Sequence, residues 1–504
     1  MSDEKPTTPS ETADEGGLRA LVAELRALIA TLNALVRELR EQLARKDEEI
    51  AELKRALLGP KSERRKRKPS SRTKPPLSDE EKARRRAAAE VKRAAERDKR
   101  KQELEVQPIE HAAPDVCPTC QGEGPFVALP PDVSEEIEHL TERLVRLQHR
   151  LEKKKCACGA IFSAPTPPRV VEGGLYGPGL YAYAVVSKCA DALPLNRISK
   201  RFARGGVNIA RSTLTDLFHR AASLLQPLHA RLLELVAASD YVNADETSQP
   251  VMDEEHCRRG FIWTFICAGI IAYVFSKDRG GETPQRILTD STGYLQVDGH
   301  TGYNAVCVPE GRDRVGCIAH ARRYFHKARD ECPAECDIAF DFFRKLYDVE
   351  VQAAEADILG TPAHAILRRD KSKPVLDDFK DWLDNQQDRH DPKGPMGKAI
   401  GYAIRQWSRL DKFLEDPKLR LDNNISEGAL RIIALGRDNF RWVGHDEAGD
   451  NLAILQTIVA TCVANDVNPQ DYIADVLTRM QTHPASQLDA LLPMNWAQTV
   501  AASA

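Results

Sequence analysis

No apolar run in this chain approaches the roughly 20 residues that a membrane-spanning helix requires. Met1 to Glu15 is acidic and polar where a secretory leader would be basic and then apolar. A dense cysteine framework is also missing, because twelve cysteines are scattered over 504 residues. These absences argue against a membrane protein, a secreted protein and a small disulfide scaffold. A soluble cytoplasmic chain is expected, with thiols that bind metal or stay buried. There is no overall excess of charge either, the net value being -3. The length exceeds one ordinary core, so several domains are expected.

The near-neutral total conceals a local excess. Between Lys61 and Lys101, eighteen Lys or Arg residues stand against seven Asp or Glu, including Arg64, Arg65, Arg67, Arg84, Arg85 and Arg86. A tract of that kind suits a polyanion such as DNA, although a solvated linker has the same composition. Before it, Leu18, Leu21, Leu25, Leu28, Leu32, Leu35 and Leu39 alternate in steps of three and four. This is a coiled-coil seam, continued through Leu43, Ile50, Leu53 and Leu57 in a frame shifted by a stutter. The expected order is a disordered segment at 1–16, a leucine zipper-like coiled coil at 17–58 that makes a homo-oligomer, and a basic linker at 59–105.

Residues 106–170 carry Cys117 and Cys120, then a stretch of strand-like alternation, then Cys156 and Cys158. Four thiolates in two such pairs can hold one structural zinc ion, which replaces the core that so short a unit lacks. From 171 to 236 the pattern is helical. A short helix from Leu195, a turn at Gly205 and Gly206, and a longer helix opening with Arg211, Ser212 and Thr213 fit a helix-turn-helix that meets a DNA groove. Any helical hairpin shares this outline.

From Asp240 the period becomes that of strands, with β-branched and aromatic runs at 241–245, 261–266 and 270–275, a helix at 283–289 and a further strand at 293–298. Three strands, a helix and a fourth strand, with Asp245 on the first and Asp298 on the fourth, suggest a ribonuclease H-like sheet. The chain is then mostly helical to about 419, and Glu427 follows in the first turn of a new helix. Two-metal phosphoryl transfer needs carboxylates from separate elements that converge on two ions about 3.5–4 Å apart. Asp245, Asp298 and Glu427 are such a set, and strand alternation turns the competing Glu246 to the other face. Singly, each has an innocent reading: turn residues for the aspartates, and a capping box for Glu427.

The segments YVNADET, LQVDGHTGYNAV, GCIAHARRYF and LDNNISEGALR resemble characteristic blocks of the insertion-sequence-66 family of bacterial DDE transposases. KCADALPLNR, RSTL and NPQDYI extend the likeness over nearly the whole chain. The resemblance implies that Asp245, Asp298 and Glu427 form the triad, holding two Mg ions for which Mn can substitute. It implies a multidomain α/β protein: catalytic parts at 237–330 and 420–460, a helical insertion at 331–419 between them, and a helical tail at 461–504. It further implies binding of the element's terminal inverted repeats and target DNA, association with the bacterial nucleoid when DNA-bound, and small accessory proteins as partners. Cys317 and His320 resemble a CxxH feature of several DDE families and are accessory candidates; Cys332 and Cys336 could join them in a second metal site.

Two departures bear on activity. Gly428 stands where the family usually has a basic residue, and Arg437, Asp438 and Asn439 replace its Arg-Lys-Asn block. Both changes remove positive charge near the expected phosphate path, so a decayed copy is one alternative. A non-catalytic zinc- and zipper-containing DNA-binding regulator is another, but it leaves the three ordered acids without a reason. A nuclease that cuts without joining is a third.

The seam generates the first prediction, because apolar stripes of this regularity are buried by a partner helix. Deleting residues 17–58 is expected to convert an oligomer into a monomer in sedimentation; an unchanged mass would remove the coiled coil as the association element.

Overall fold

A computed structural model describes residues 106–140, 143–252 and 256–496, with isolated residues 38, 42, 84, 87, 90, 91 and 104. The chain divides into two compact units, Met1–Arg86 and Ala87–Ala504, and the architecture below belongs to the second. The coiled-coil seam and Arg64, Arg65, Arg67, Arg85 and Arg86 lie outside the described residues, while Arg84 is helical and exposed.

The second unit opens with a small sheet of β1 (Val106–His111), β2 (Val127–Leu140), β3 (Arg143–Lys155) and β4 (Ile161–Ser163). β2 and β3 form a long antiparallel pair, β1 runs parallel to β3, and β4 pairs antiparallel with the end of β3. The alternation between the two cysteine pairs is this hairpin. Ile137, Val145 and Leu151 are buried beside a polar set in which His149 is bonded to Glu136 at 2.9 Å and to His111 at 3.0 Å.

Three helices follow: α1 (Pro178–Cys189), α2 (Leu195–Arg204) and α3 (Arg211–Ala237). α2 buries only Ile198 and Phe202, one turn apart, and is otherwise polar. The chain turns at Gly205 and at Gly206, whose φ of 88° suits glycine. α3 is held by a stripe including Leu214, Leu217, Phe218, Ala221, Leu225, Leu228, Leu232 and Val236, spaced at three and four as a core-facing helix requires.

The central sheet comprises β5 (Tyr241–Met252), β6 (Cys257–Cys267), β7 (Ile270–Ser276), α4 (Glu282–Leu288), β8 (Gly293–Gln296) and β9 (Arg312–Val315). Its strand order is β7-β6-β5-β8-β9. β5, β6 and β7 are antiparallel, while β8 and β9 run parallel to β5. A parallel neighbour requires a crossover, which the segment containing α4 provides. At Gly293, with φ of 93°, a Cβ would sit 2.2 Å from the Asp240 carbonyl, so only glycine lets β8 meet β5 there. Arg312 is buried and donates to the carbonyls of Ala237, Ser239 and Tyr294 and to Ser291 Oγ, stapling the end of α3 to the sheet.

Beyond the sheet lie α5 (Ile318–Lys327), α6 (Pro333–Glu355), α7 (Pro362–Leu367), α8 (Lys373–Gln387), α9 (Pro395–Leu410), α10 (Asn424–Phe440), α11 (Asp446–Ala464) and α12 (Pro469–Arg479). Phe325, Phe343, Phe379, Ala399 and Leu419 belong to a second apolar cluster, separate from the one that joins the sheet to α3, α11 and α12. The stretch between α5 and α10 therefore has its own core. Thr457 and Thr461 of α11 accept the outward N–H groups of Tyr273 and Ile271, which covers the edge of β7 against strand addition. No helix among the described residues is long and apolar enough to cross a membrane.

Candidate active site

Asn243 of β5 pairs with Gln296 of β8 in parallel register. Asp245 and Asp298 each stand two residues beyond that pair and so at the same level of the sheet. Asp245 lies within β5, which continues to Met252, and Asp298 lies just past the end of β8, so neither ends a strand as the sequence pattern suggested. Each is fixed locally: Asp245 Oδ1 accepts the Glu246 N–H at 2.9 Å, and Asp298 Oδ1 accepts the His300 N–H at 2.8 Å. Arg314 also donates to the carbonyls of Asp298 and His300, both at 2.6 Å, which holds the loop after β8 in place. Glu427 stands in the first turn of α10.

The electrostatics join the three acids. Burial pushes the Asp245 carboxyl up to about 7, and the negative charges of Glu246, Asp298 and Glu427 add to the rise against the opposing Glu246 N–H. Glu427 does not return to the helix terminus as a capping box would require. Its Oε1 accepts from Arg323 Nη2 at 2.5 Å and lies 3.8 Å from His320 Nε2. Among the described residues, the three acids do not bring their oxygens within 4.8 Å of one another as a group. Asp298 and Glu427 nevertheless both act on the Asp245 charge, and Arg323 is bound to Glu427.

A polar web sets the positions of these elements. Asn423, fully buried just before α10, donates from Nδ2 to the Ala244 carbonyl at 2.7 Å and accepts from Ser426 Oγ at 2.9 Å. Its own N–H donates to Cys317 Sγ at 3.2 Å. Gln296 donates to the carbonyls of Gly316 and Arg420. Cys317 thus acts as a hydrogen-bond acceptor, its thiol pushed up to about 12 by burial. His320 is held below its ordinary value chiefly by burial and receives Arg323 Nη1 at 3.2 Å. Cys336 donates to the Phe325 carbonyl and, like Cys332, forms no ligand group with Cys317 and His320 among the described residues.

Glu246, on the opposite face from Asp245, is a buried acceptor for Arg279 and Tyr303. Residue reading missed Arg279, Tyr303, Arg314, Arg323 and Asn423. Only Arg323 had a signal, its place one turn after His320; the others depend on pairings between distant segments. The DNA candidates Arg211 and Ser212 are exposed and Thr213 half-buried in the first turn of α3.

The cysteines form a separate cluster. Cys117 and Cys120 lie between β1 and β2, Cys156 and Cys158 between β3 and β4, and their four sulfurs lie within 4.8 Å of one another. Cys117 Sγ is 3.8 Å from Cys158 Sγ, and Cys120 Sγ is 3.5 Å from Cys156 Sγ. Zinc–sulfur bonds of about 2.3 Å in a tetrahedron give sulfur separations of about 3.8 Å, so the cluster fits a zinc ion. The backbone N–H of Cys120 helps most to hold the Cys117 thiol down to about 6, which favours a thiolate ligand.

A family model described as Transposase IS66 family matches residues 173–451, and a second, IS66 C-terminal element, matches 457–494. The chain belongs to the IS66 transposase family. Two relatives from Sinorhizobium fredii (strain NBRC 101917 / NGR234) have the names uncharacterized protein y4hP and uncharacterized protein y4jD. The first is 32% identical over 77% of this chain and 75% of its own length. The second is 29% identical over 72% of this chain and 75% of its own. Membership makes this chain a transposase, with DNA as the partner class; the three acids lie inside the first match, and the cysteine cluster lies before it.

Two predictions arise from these sites. Metal analysis of the purified chain is expected to find one zinc per chain, lost in the Cys117→Ser, Cys156→Ser double variant; undiminished zinc would refute the cluster as a site. Asp245 has a raised folded value, so its contribution to metal-free stability is present below about pH 4 and is lost as pH rises through about 7. Asp245→Asn escapes that loss. In chelator its unfolding free energy should exceed the parent's, by a margin that widens up to about pH 8.5 and reaches roughly 1–3 kcal/mol in denaturant titrations. A margin independent of pH would show that the carboxylate is not under this strain.

Proposed function

We propose that the chain is a DDE transposase that binds the ends of an insertion sequence and catalyses DNA cleavage and strand transfer, with Asp245, Asp298 and Glu427 as its triad. The observation that carries this reading is positional: Asp245 on β5 and Asp298 just past β8 each stand two residues beyond the paired Asn243 and Gln296, and both Asp298 and Glu427 of α10 add to the rise that burial chiefly gives the Asp245 carboxyl. Carboxylates that repel in this way are a donor set for hard divalent cations, Mg or Mn. Two such ions would activate the attacking oxygen and stabilise the leaving one. The strand order, with three antiparallel strands followed by two parallel ones, supports a ribonuclease H-like domain. The separate apolar cluster of α6, α8 and α9 supports a helical insertion between its two parts.

The residues divide the remaining work. Asp245 and Asp298 are each held by a backbone N–H group through one oxygen, which leaves the other to serve as a ligand. Glu427, here bound to Arg323, would be the helical residue that holds a cation. His320, neutral and beside Arg323, sets that guanidinium's direction. Arg211, Ser212 and Thr213 open α3 as a recognition helix, and the basic tract at 61–101 tethers DNA through phosphate contacts. The zinc-bound unit and the coiled coil arrange two or more chains on the element's ends in the bacterial nucleoid. Small accessory proteins complete the assembly.

The test is cleavage and joining of labelled terminal-repeat DNA from the flanks of the gene, alongside binding on the same preparations. Asp245→Asn, Asp298→Asn and Glu427→Gln keep the shape of each residue and remove its charge. Each is expected to lower cleavage and joining together by orders of magnitude, roughly 10²-fold or more, with DNA binding retained. If all three cut like the parent, the triad is wrong; loss of binding together with cleavage would favour the regulator.

A further inference from the structure

One buried group is not absorbed by this chemistry. Glu246 adjoins Asp245 in sequence, yet its side chain is fully buried on the other face of β5. Burying a carboxylate there raises Asp245 further, so it works against the metal-free fold. Its oxygens are fully engaged: Arg279 donates from Nε to Oε1 at 2.7 Å, with Nη2 at 2.5 Å from the same oxygen, and Tyr303 donates to Oε2 at 2.7 Å. Trp263 packs edge-on against Tyr303 with ring centres 5.5 Å apart, which fixes the phenol.

The anchored cation faces outward. Arg279 keeps 47% of its side chain exposed, and the Asp298 charge acts on it. Its loop is packed on the segment that follows Asp298: a Cβ at Gly281 would stand 2.8 Å from the Gly302 carbonyl, and one at Gly302 would stand 3.4 Å from the Arg279 carbonyl. The loop and the Asp298 segment are therefore in close backbone contact. A guanidinium held on one edge by a buried carboxylate presents its remaining N–H groups with little entropy left to lose, which is the arrangement suited to a phosphodiester oxygen.

We propose that Arg279 is a DNA-phosphate binding site at the rim of the acidic centre, with Glu246 and Tyr303 as the positioning residues that aim it. This deepens the transposase reading and rests on it for the identity of the polyanion. It also supplies positive charge close to Asp298, where the carboxylates alone would repel the DNA backbone.

The experiment is fluorescence anisotropy of the full chain in chelator, without divalent metal, on a labelled duplex carrying the terminal sequence that flanks the gene, over a range of salt. Arg279→Gln is expected to weaken binding roughly five- to tenfold and to reduce the slope of log affinity against log salt by about 0.9, the value of one phosphate contact. Arg279→Lys keeps the charge and should keep the parent's slope, which a merely structural role would not require. Glu246→Gln should weaken binding a few-fold through the loosened guanidinium. Parent-like affinity and slope in Arg279→Gln overturn the site, as does a slope lost equally in Arg279→Lys. Neither outcome depends on cleavage, so failure here is distinct from failure of the triad, which parent-like cutting by its variants would reveal.

Discussion

The hydrogen bond from Asn423 to the Ala244 carbonyl is the constraint on which the candidate site depends. Asn423 ends the stretch that follows α9, and Ala244 immediately precedes Asp245 on β5. One buried amide therefore sets the start of α10, and with it Glu427, against the strand that carries Asp245. The same residue's N–H lands on Cys317 Sγ at the head of α5, where His320 and Arg323 begin. Leaving such an amide unpaired inside a protein costs about 1–3 kcal/mol, which is enough to make its partners compulsory. The separate core between α5 and α10 can then be large without disturbing the acids, because both of its ends are tied to the sheet.

Against that rigidity stands deliberate repulsion. Asp245, Glu246, Asp298 and Glu427 form a negative centre, which a protein built for stability alone would avoid. The neighbouring cations are distributed accordingly. Arg279 binds Glu246 from the loop after β7, Arg323 binds Glu427 from α5, and Arg314 holds carbonyl oxygens of the Asp298 loop. None is paired with Asp245 itself, whose carboxyl is raised chiefly by burial and then by the neighbouring negative charges.

Much of this was legible in the sequence because it follows short-range rules. The strands at 241–245, 261–266 and 270–275, the helix after Leu195, the glycine turn and the helix opening at Arg211 all appear where local periodicity put them. The cysteine pairs were readable for the same reason, since ligand spacing is a local property, and the hairpin of β2 and β3 closes the distance between them. Two points were displaced: β8 ends at Gln296, two residues before Asp298, and Glu427 pairs with Arg323 instead of capping its helix. Asn423, Arg279 and Tyr303 were not legible, because their roles come from pairings across 179, 33 and 57 positions that no periodicity encodes.

The two departures from the family pattern can now be weighed physically. A side chain at Gly428 would meet nothing within 4 Å, so packing does not forbid a basic residue there, and its absence is a loss of charge alone. Arg437, by contrast, reaches back to Thr247 and to the carbonyl of Ser248, fastening the last turns of α10 to β5. Its role is to hold the helix that carries Glu427, and Asp438 beside it leaves that bond intact. Arg279 and Arg323 approach the acids from a loop and from another helix, bound to Glu246 and Glu427 respectively. A phosphate backbone would respond to the summed field of all such cations and not to the element that bears each charge, so a missing charge on α10 is not by itself evidence of a decayed copy.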